Sequence, residues 1–147
     1  MNELLLKLKA IYDLIQDQFN ELDLQIGQNG RRNFPITGFP QLARDLYLVH
    51  DVVAISCDAG TMAWVHYHHD EEGWIECACE AFNRIGHPSV GEGMRECLAT
   101  YLVKRGSLNS EDDRNPSDYI IDHEEQIMRD LHAYLVAGGF AFARPSR

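Results

Sequence analysis

Residues 3–24 read ELLLKLKAIYDLIQDQFNELDL. Apolar side chains stand at Leu4, Leu8, Ile11, Ile15, Phe19 and Leu22, in steps of 4, 3, 4, 4 and 3. That is the period of an α-helix with one buried stripe. Asn2 stands where a side-chain oxygen can cap the first turn. The stripe is too short to specify a coiled coil, so it predicts a helix packed on a core.

The same period recurs outward along the chain. Residues 41–56 place Leu42, Leu46, Val49 and Val53 inward. A short helix over 61–69 carries Met62, Trp64 and Val65. Further helices are predicted over 74–85, 90–105 and 118–136, the last with Ile120, Ile121, Ile127, Leu131 and Leu135 apolar. The punctuation between them is chemical. GQNGRRNFPITGFP (27–40) reads as a loop, Cys57 to Gly60 as a turn and LNSEDDRNP (108–116) as a polar loop. Gly73 breaks one helix, Gly86 suits a left-handed C-cap, and Ser89 and Ser117 are candidate N-caps. Gly138 and Gly139 end the last helix, and Phe140 and Phe142 are expected to pack back on the body. No stretch alternates with period two long enough to form a sheet. The expectation is all-α: residues 1–147 as a single domain, a compact bundle of five to seven helices.

A chain of 147 residues, 45% hydrophobic and 24% charged, can bury a full core without disulfides or metals. It has no apolar run long enough to span a membrane. Glu3, Lys7, Lys9 and Asp13 interrupt the apolar start, which therefore does not read as a signal peptide. A cytoplasmic location is expected, with Cys57, Cys77, Cys79 and Cys97 reduced. The net charge is −10. Residues 1–69 carry eight acidic and five basic side chains, residues 70–147 fifteen and eight. This balance disfavours direct binding to nucleic acid or an anionic membrane and favours a basic protein partner.

The densest group of titratable side chains is WVHYHHDEEGW, residues 64–74. His66, His68, His69, Asp70, Glu71 and Glu72 are metal-ligand types, but neither the His-Glu-x-x-His pattern nor a zinc-type cysteine spacing is present. Cys77 and Cys79, two apart on a helix, point to opposite sides. No phosphate-binding loop, nucleophile elbow or dinucleotide fingerprint occurs. The reading is therefore no enzyme, no metal and no cofactor. A metal- or thiol-dependent enzyme using residues 66–70 or a cysteine is the rival from another class. His50, His87 and His132 read as polar residues at helix boundaries.

What remains is the carboxylates. Glu72, Glu76 and Glu80 are spaced by four, as are Glu92 and Glu96, while Asp118, Asp122 and Glu125 line the last helix. Like charges at this spacing cost a helix roughly 0.2–0.5 kcal/mol per pair. Their rise of about 6 Å per step roughly follows phosphates along a nucleic-acid strand. The candidate contact set is Glu71, Glu72, Glu76, Glu80, Asp112, Asp113, Asp118 and Asp122, with Trp74 and Tyr119 as aromatic anchors.

Residues 58–86, DAGTMAWVHYHHDEEGWIECACEAFNRIG, carry a further signal. Asp58 and Gly60, then Trp64 and Tyr67, Asp70 and Gly73, Glu80-Ala81-Phe82, and Ile85-Gly86 form a pattern. It resembles a family of small bacterial proteins that includes an acidic DNA-mimic protein. Where that family shows paired glycines before an aromatic, this chain has Ala59-Gly60-Thr61. The resemblance implies an all-helical fold and a non-catalytic binding role. Similar small acidic helical proteins also serve as immunity proteins that block a toxin. The expected function is a non-catalytic protein that neutralises a basic partner, first an immunity protein, alternatively a DNA mimic. A homodimer is left open.

Overall fold

A computed structural model of the protein describes residues 2–30, 35–104 and 114–142. Among these residues there are six α-helices, one 3-10 turn and no strand. The helices are α1 (Glu3–Asn29), α2 (Gln41–Asp58), α3 (Thr61–His68), α4 (Trp74–Arg84), α5 (Pro88–Lys104) and α6 (Arg114–Ala137); the 3-10 turn is Ile36–Gly38.

The all-α bundle matches the sequence reading. α1 starts as expected, with Asn2 Oδ1 accepting from Leu4 N–H at 2.7 Å. It runs through Gly27 to Asn29, past the loop boundary expected at 27. Gly86 (φ +89°) ends α4 in a Schellman motif: Gly86 N–H donates to Asn83 O and His87 N–H to Phe82 O. Gly139 ends α6 the same way, through Val136 O and Leu135 O. Phe140 and Phe142 then pack back, their rings 4.8 Å apart.

Two caps differ from expectation. α5 begins at Pro88, so Ser89 lies inside the first turn; proline's fixed φ suits that opening position. α6 begins at Arg114, so Ser117 lies within a helix and caps a different one. Its Oγ accepts from Thr61 N–H at 2.9 Å and donates to Thr61 Oγ1 at 3.1 Å, both buried. Most of the expected polar loop at 108–116 lies outside the described residues.

α2 is the hub, packing against α1, α3, α4 and α6. Leu46, Tyr47, Leu48, Val49 and Val52 are all fully buried, so it is apolar nearly all round. It also carries two buried carboxylates. Asp45 takes a two-pronged ion pair from Arg84 (2.9 and 3.0 Å) and a hydrogen bond from Tyr134 Oη (2.6 Å). This joins α2, α4 and α6, and the pairing offsets the cost of burying the charge. Asp51 accepts from Trp64 Nε1 at 2.9 Å.

α4 is wedged between α2 and α5, which is why Cys77 and Cys79 are both buried although they point apart. Cys79 Sγ donates to Gly91 O at 3.4 Å, and a Cβ at Gly91 would lie 3.2 Å from Cys79 O. Glycine there lets the two helices approach closely.

Candidate partner-binding surface

The α3–α4 corner gathers the group at 64–74. His68, one of the ligand-type side chains of this group, turns inward and is 3% exposed. Its ring lies flat on Trp74 (4.4 Å, 1°) and against Trp64 (4.7 Å). Its Nδ1 faces Glu71 Oε1 at 3.0 Å and its Nε2 faces Asp51 Oδ2 at 3.5 Å. A neutral ring can donate to one of these oxygens, an imidazolium to both. His66 and His69 stay outside. His69 Nδ1 donates to the His66 carbonyl at 2.7 Å, and His66 Nδ1 pairs with Tyr101 Oη at 2.7 Å. Among the described residues no group of three or more His, Cys, Asp and Glu side chains is placed to hold a metal ion.

Trp74 is therefore not a surface anchor. It is 1% exposed, packed between His68 and the edge of Tyr47. Its indole is the large apolar body that covers the inner network. The carboxylate row is corrected as well. Gly73 adopts φ +79° and α4 starts at Trp74, so Glu72 lies in the preceding turn. Only Glu76 and Glu80 share a helix face.

The corner opens into a cleft of about 900 Å³ lined by Thr37, His66, Tyr67, His69, Asp70, Glu71, Glu72 and Trp74. A smaller cleft alongside is lined by Asp70, Glu71, Glu72, Glu76 and Leu98. Glu71 is the pivot: Oε1 meets His68, while Oε2 is buried with no hydrogen-bond partner among the described residues. A buried carboxylate oxygen without a donor is an open acceptor. Next to it, Arg95 Nη2 reaches across from α5 to Glu76 Oε1 at 2.9 Å. That hydrogen bond, with the negative field of Glu76 and Glu80, raises the guanidinium pKa. Among the described residues no basic side chain pairs with Glu72, Glu80, Glu92 or Glu96, and all four are exposed.

The other candidates lie elsewhere. Asp118 and Asp122 are exposed on α6, and Asp122 faces a groove beside α1 rather than this corner. Asp112 and Asp113 lie outside the described residues. Tyr119 is half-buried and committed inward: its hydroxyl pairs with His87 Nδ1 at 2.8 Å, and His123 stacks on its ring at 4.0 Å. His87 Nε2 meets Asp130 Oδ2 at 2.7 Å. A carboxylate only accepts, so Nε2 carries a proton; in a neutral ring Nδ1 then accepts from the Tyr119 hydroxyl, in an imidazolium it donates to that oxygen. His87 stands at the boundary between α4 and α5 as the sequence reading has it, but it is buried, 5% exposed. This Asp130–His87–Tyr119 chain and the Asp51–His68–Glu71 chain were both missed in the sequence. His68 and Glu71 are three apart and could have been paired; His87 and Asp130 are 43 apart, with no local signal.

Three of the thiols are shifted towards the protonated form. Burial pushes Cys79 up to about 11 and raises Cys77; burial and then Glu124 raise exposed Cys57.

No family model, curated protein or solved structure matches this chain. No helix among the described residues is long and apolar enough to cross a membrane.

Proposed function

We propose that this chain is a non-catalytic acidic protein that binds and blocks a basic protein partner. One observation carries the reading. Asp70, Glu71 and Glu72 bring three carboxylate side chains to the lining of one cleft, and exposed Glu76 lines the smaller cleft beside it. A lysine or arginine of a partner can donate to the exposed carboxylates of Asp70 and Glu72, and such charge-assisted bonds are the stronger kind. The exposed carboxylates Glu72, Glu76 and Glu80 around the cleft steer a positively charged surface and select it. Toxin active sites that handle nucleic acids are commonly basic, so the first class of partner is a toxin, which would make the chain an immunity protein.

The exposed pairs Glu76–Glu80 and Glu92–Glu96 favour a second reading, a DNA mimic that occupies a nucleic-acid site. The resemblance of residues 58–86 supports either use.

The test is capture of partners from the native host at low and moderate salt, with the proteins identified by mass. A toxin-like partner supports immunity, and a DNA-binding partner displaced by added duplex supports mimicry. Glu71→Gln is then expected to speed dissociation. Glu72→Lys/Glu76→Lys/Glu80→Lys is expected to slow association and flatten its salt dependence. Unchanged binding by both variants would sink the acidic-cleft reading.

A further inference from the structure

The apolar stripe of α1 outruns the core that covers it. Ile15 and Ile26 are fully buried and Leu22 nearly so. Towards the N-terminus the same stripe emerges: Ile11 and Leu8 are half-buried, and Leu4 is 54% exposed. Leu5 and Leu6 beside it are 55% and 51% exposed. The reason is length. α1 has 27 residues, about 40 Å, against 18 residues and about 27 Å for α2, its main support. Its first turns overhang, and α6 runs alongside them.

Where they meet, Leu5, Leu8 and Tyr12 of α1 and Ile121 of α6 line an open groove of about 600 Å³. Ile121 is itself 51% exposed. The rims carry opposite charge. Lys9 stands on the α1 side, and Asp122, Glu124 and Glu125 on the α6 side. The groove is negative enough to act on its own tyrosine. Tyr12 is pushed up to about 12, by burial first and then by Glu124 and Glu125.

An occupant must bring apolar side chains with cations beside them. The first turns of α1 are such a segment: Leu4, Leu5 and Leu8 alternate with Lys7 and Lys9. Those lysines make only exposed contacts within their own helix, to Glu3 (3.8 Å) and Asp13 (2.6 Å). Such pairs are worth little and exchange readily. Each chain holds both the segment and the groove, so a two-fold axis satisfies both copies with one closed interface. We propose that the first turns of α1 dock in the α1–α6 groove of a second copy. Lys7 and Lys9 of each chain then face Asp122, Glu124 and Glu125 of the other. This does not rest on the acidic-cleft reading.

Sedimentation and light scattering of the full chain test it. A dimer is expected at high protein concentration, dissociating on dilution. Leu4→Glu/Leu5→Glu alters exposed positions only and is expected to give a folded monomer, its fold checked by circular dichroism. Lys7→Glu/Lys9→Glu is expected to weaken the dimer about tenfold or more, and adding Asp122→Lys/Glu125→Lys to restore it. A wild-type monomer at the highest concentration would overturn the proposal. So would a dimer indifferent to the leucine variant, charge variants without reciprocal rescue, or a monomer that binds lipid vesicles through Leu4 and Leu5.

Discussion

His50 shows at the scale of one residue how burial sets chemistry. Its ring stacks on Phe19 at 4.2 Å and its Nε2 reaches Gln16 Oε1 at 2.9 Å, while Nδ1 is buried without a partner. Burial holds its pKa below the ordinary 6.5, with Asp51 opposing in part. The unfolded chain therefore binds the proton more readily than the folded one. The contribution to stability is fully present above pH 6.5 and is lost as pH falls through the folded value. Urea titrations from about pH 8 to about pH 5 should show declining stability. His50→Gln, which keeps a polar group near Gln16, should decline less over that window. Parallel curves for the two proteins would assign the decline to other groups. In the sequence His50 reads as a polar residue at a helix boundary. The packing of α1 on α2 half-buries it.

Helix ends are the next scale. Gly86 and Gly139 act locally, since a left-handed residue closes its own helix. That is why these ends were legible in the sequence. The start of α3 is different. Gly60 offers no side chain, and the first amide is satisfied by Ser117, 56 residues away, with Ser56 Oγ completing the cluster at 2.8 Å from Thr61 Oγ1. Ser117→Ala would leave the buried Thr61 amide unpaired at a cost of about 1–3 kcal/mol. Ser89→Ala, at an exposed position in α5, should stay within about 0.5 kcal/mol of the parent. Denaturant midpoints at constant m-value distinguish the two. Equal effects would show that Ser117 does not hold α3 to α6. A serine before an apolar run predicts a cap, but the rule does not say for which helix.

Across the whole molecule the net charge of −10 opposes compaction, and exposed Glu92 and Glu96 stand four apart on α5, with Arg95 between them paired instead to Glu76. Glu96→Gln is expected to raise stability by roughly 0.2–0.5 kcal/mol at low salt. The gain should vanish near 1 M salt, where screening extends to only about 3 Å. A loss of stability at low salt would mean that Glu96 has a favourable partner and is not part of a strained acidic face.

The sequence by itself determined the all-helical class, the helix that each apolar stripe builds, and most of the breaks. These depend on residues three or four apart and on single glycines. It also determined the acidity, which is a sum over side chains. Only the tertiary structure decided which acids are surface and which are core. Asp45 is fully buried and Asp51 nearly so, Glu71 is half-buried, and Glu72 and Glu80 face water. It also decided that Trp74 covers His68 instead of a partner, and that Tyr119 points to His87. Several of the partners that settle these roles lie far along the chain, 39 residues for Arg84 and Asp45, 32 for Tyr119 and His87 and 89 for Tyr134 and Asp45. A carboxylate's role is set by the donor it meets, and no local pattern encodes a meeting across that distance.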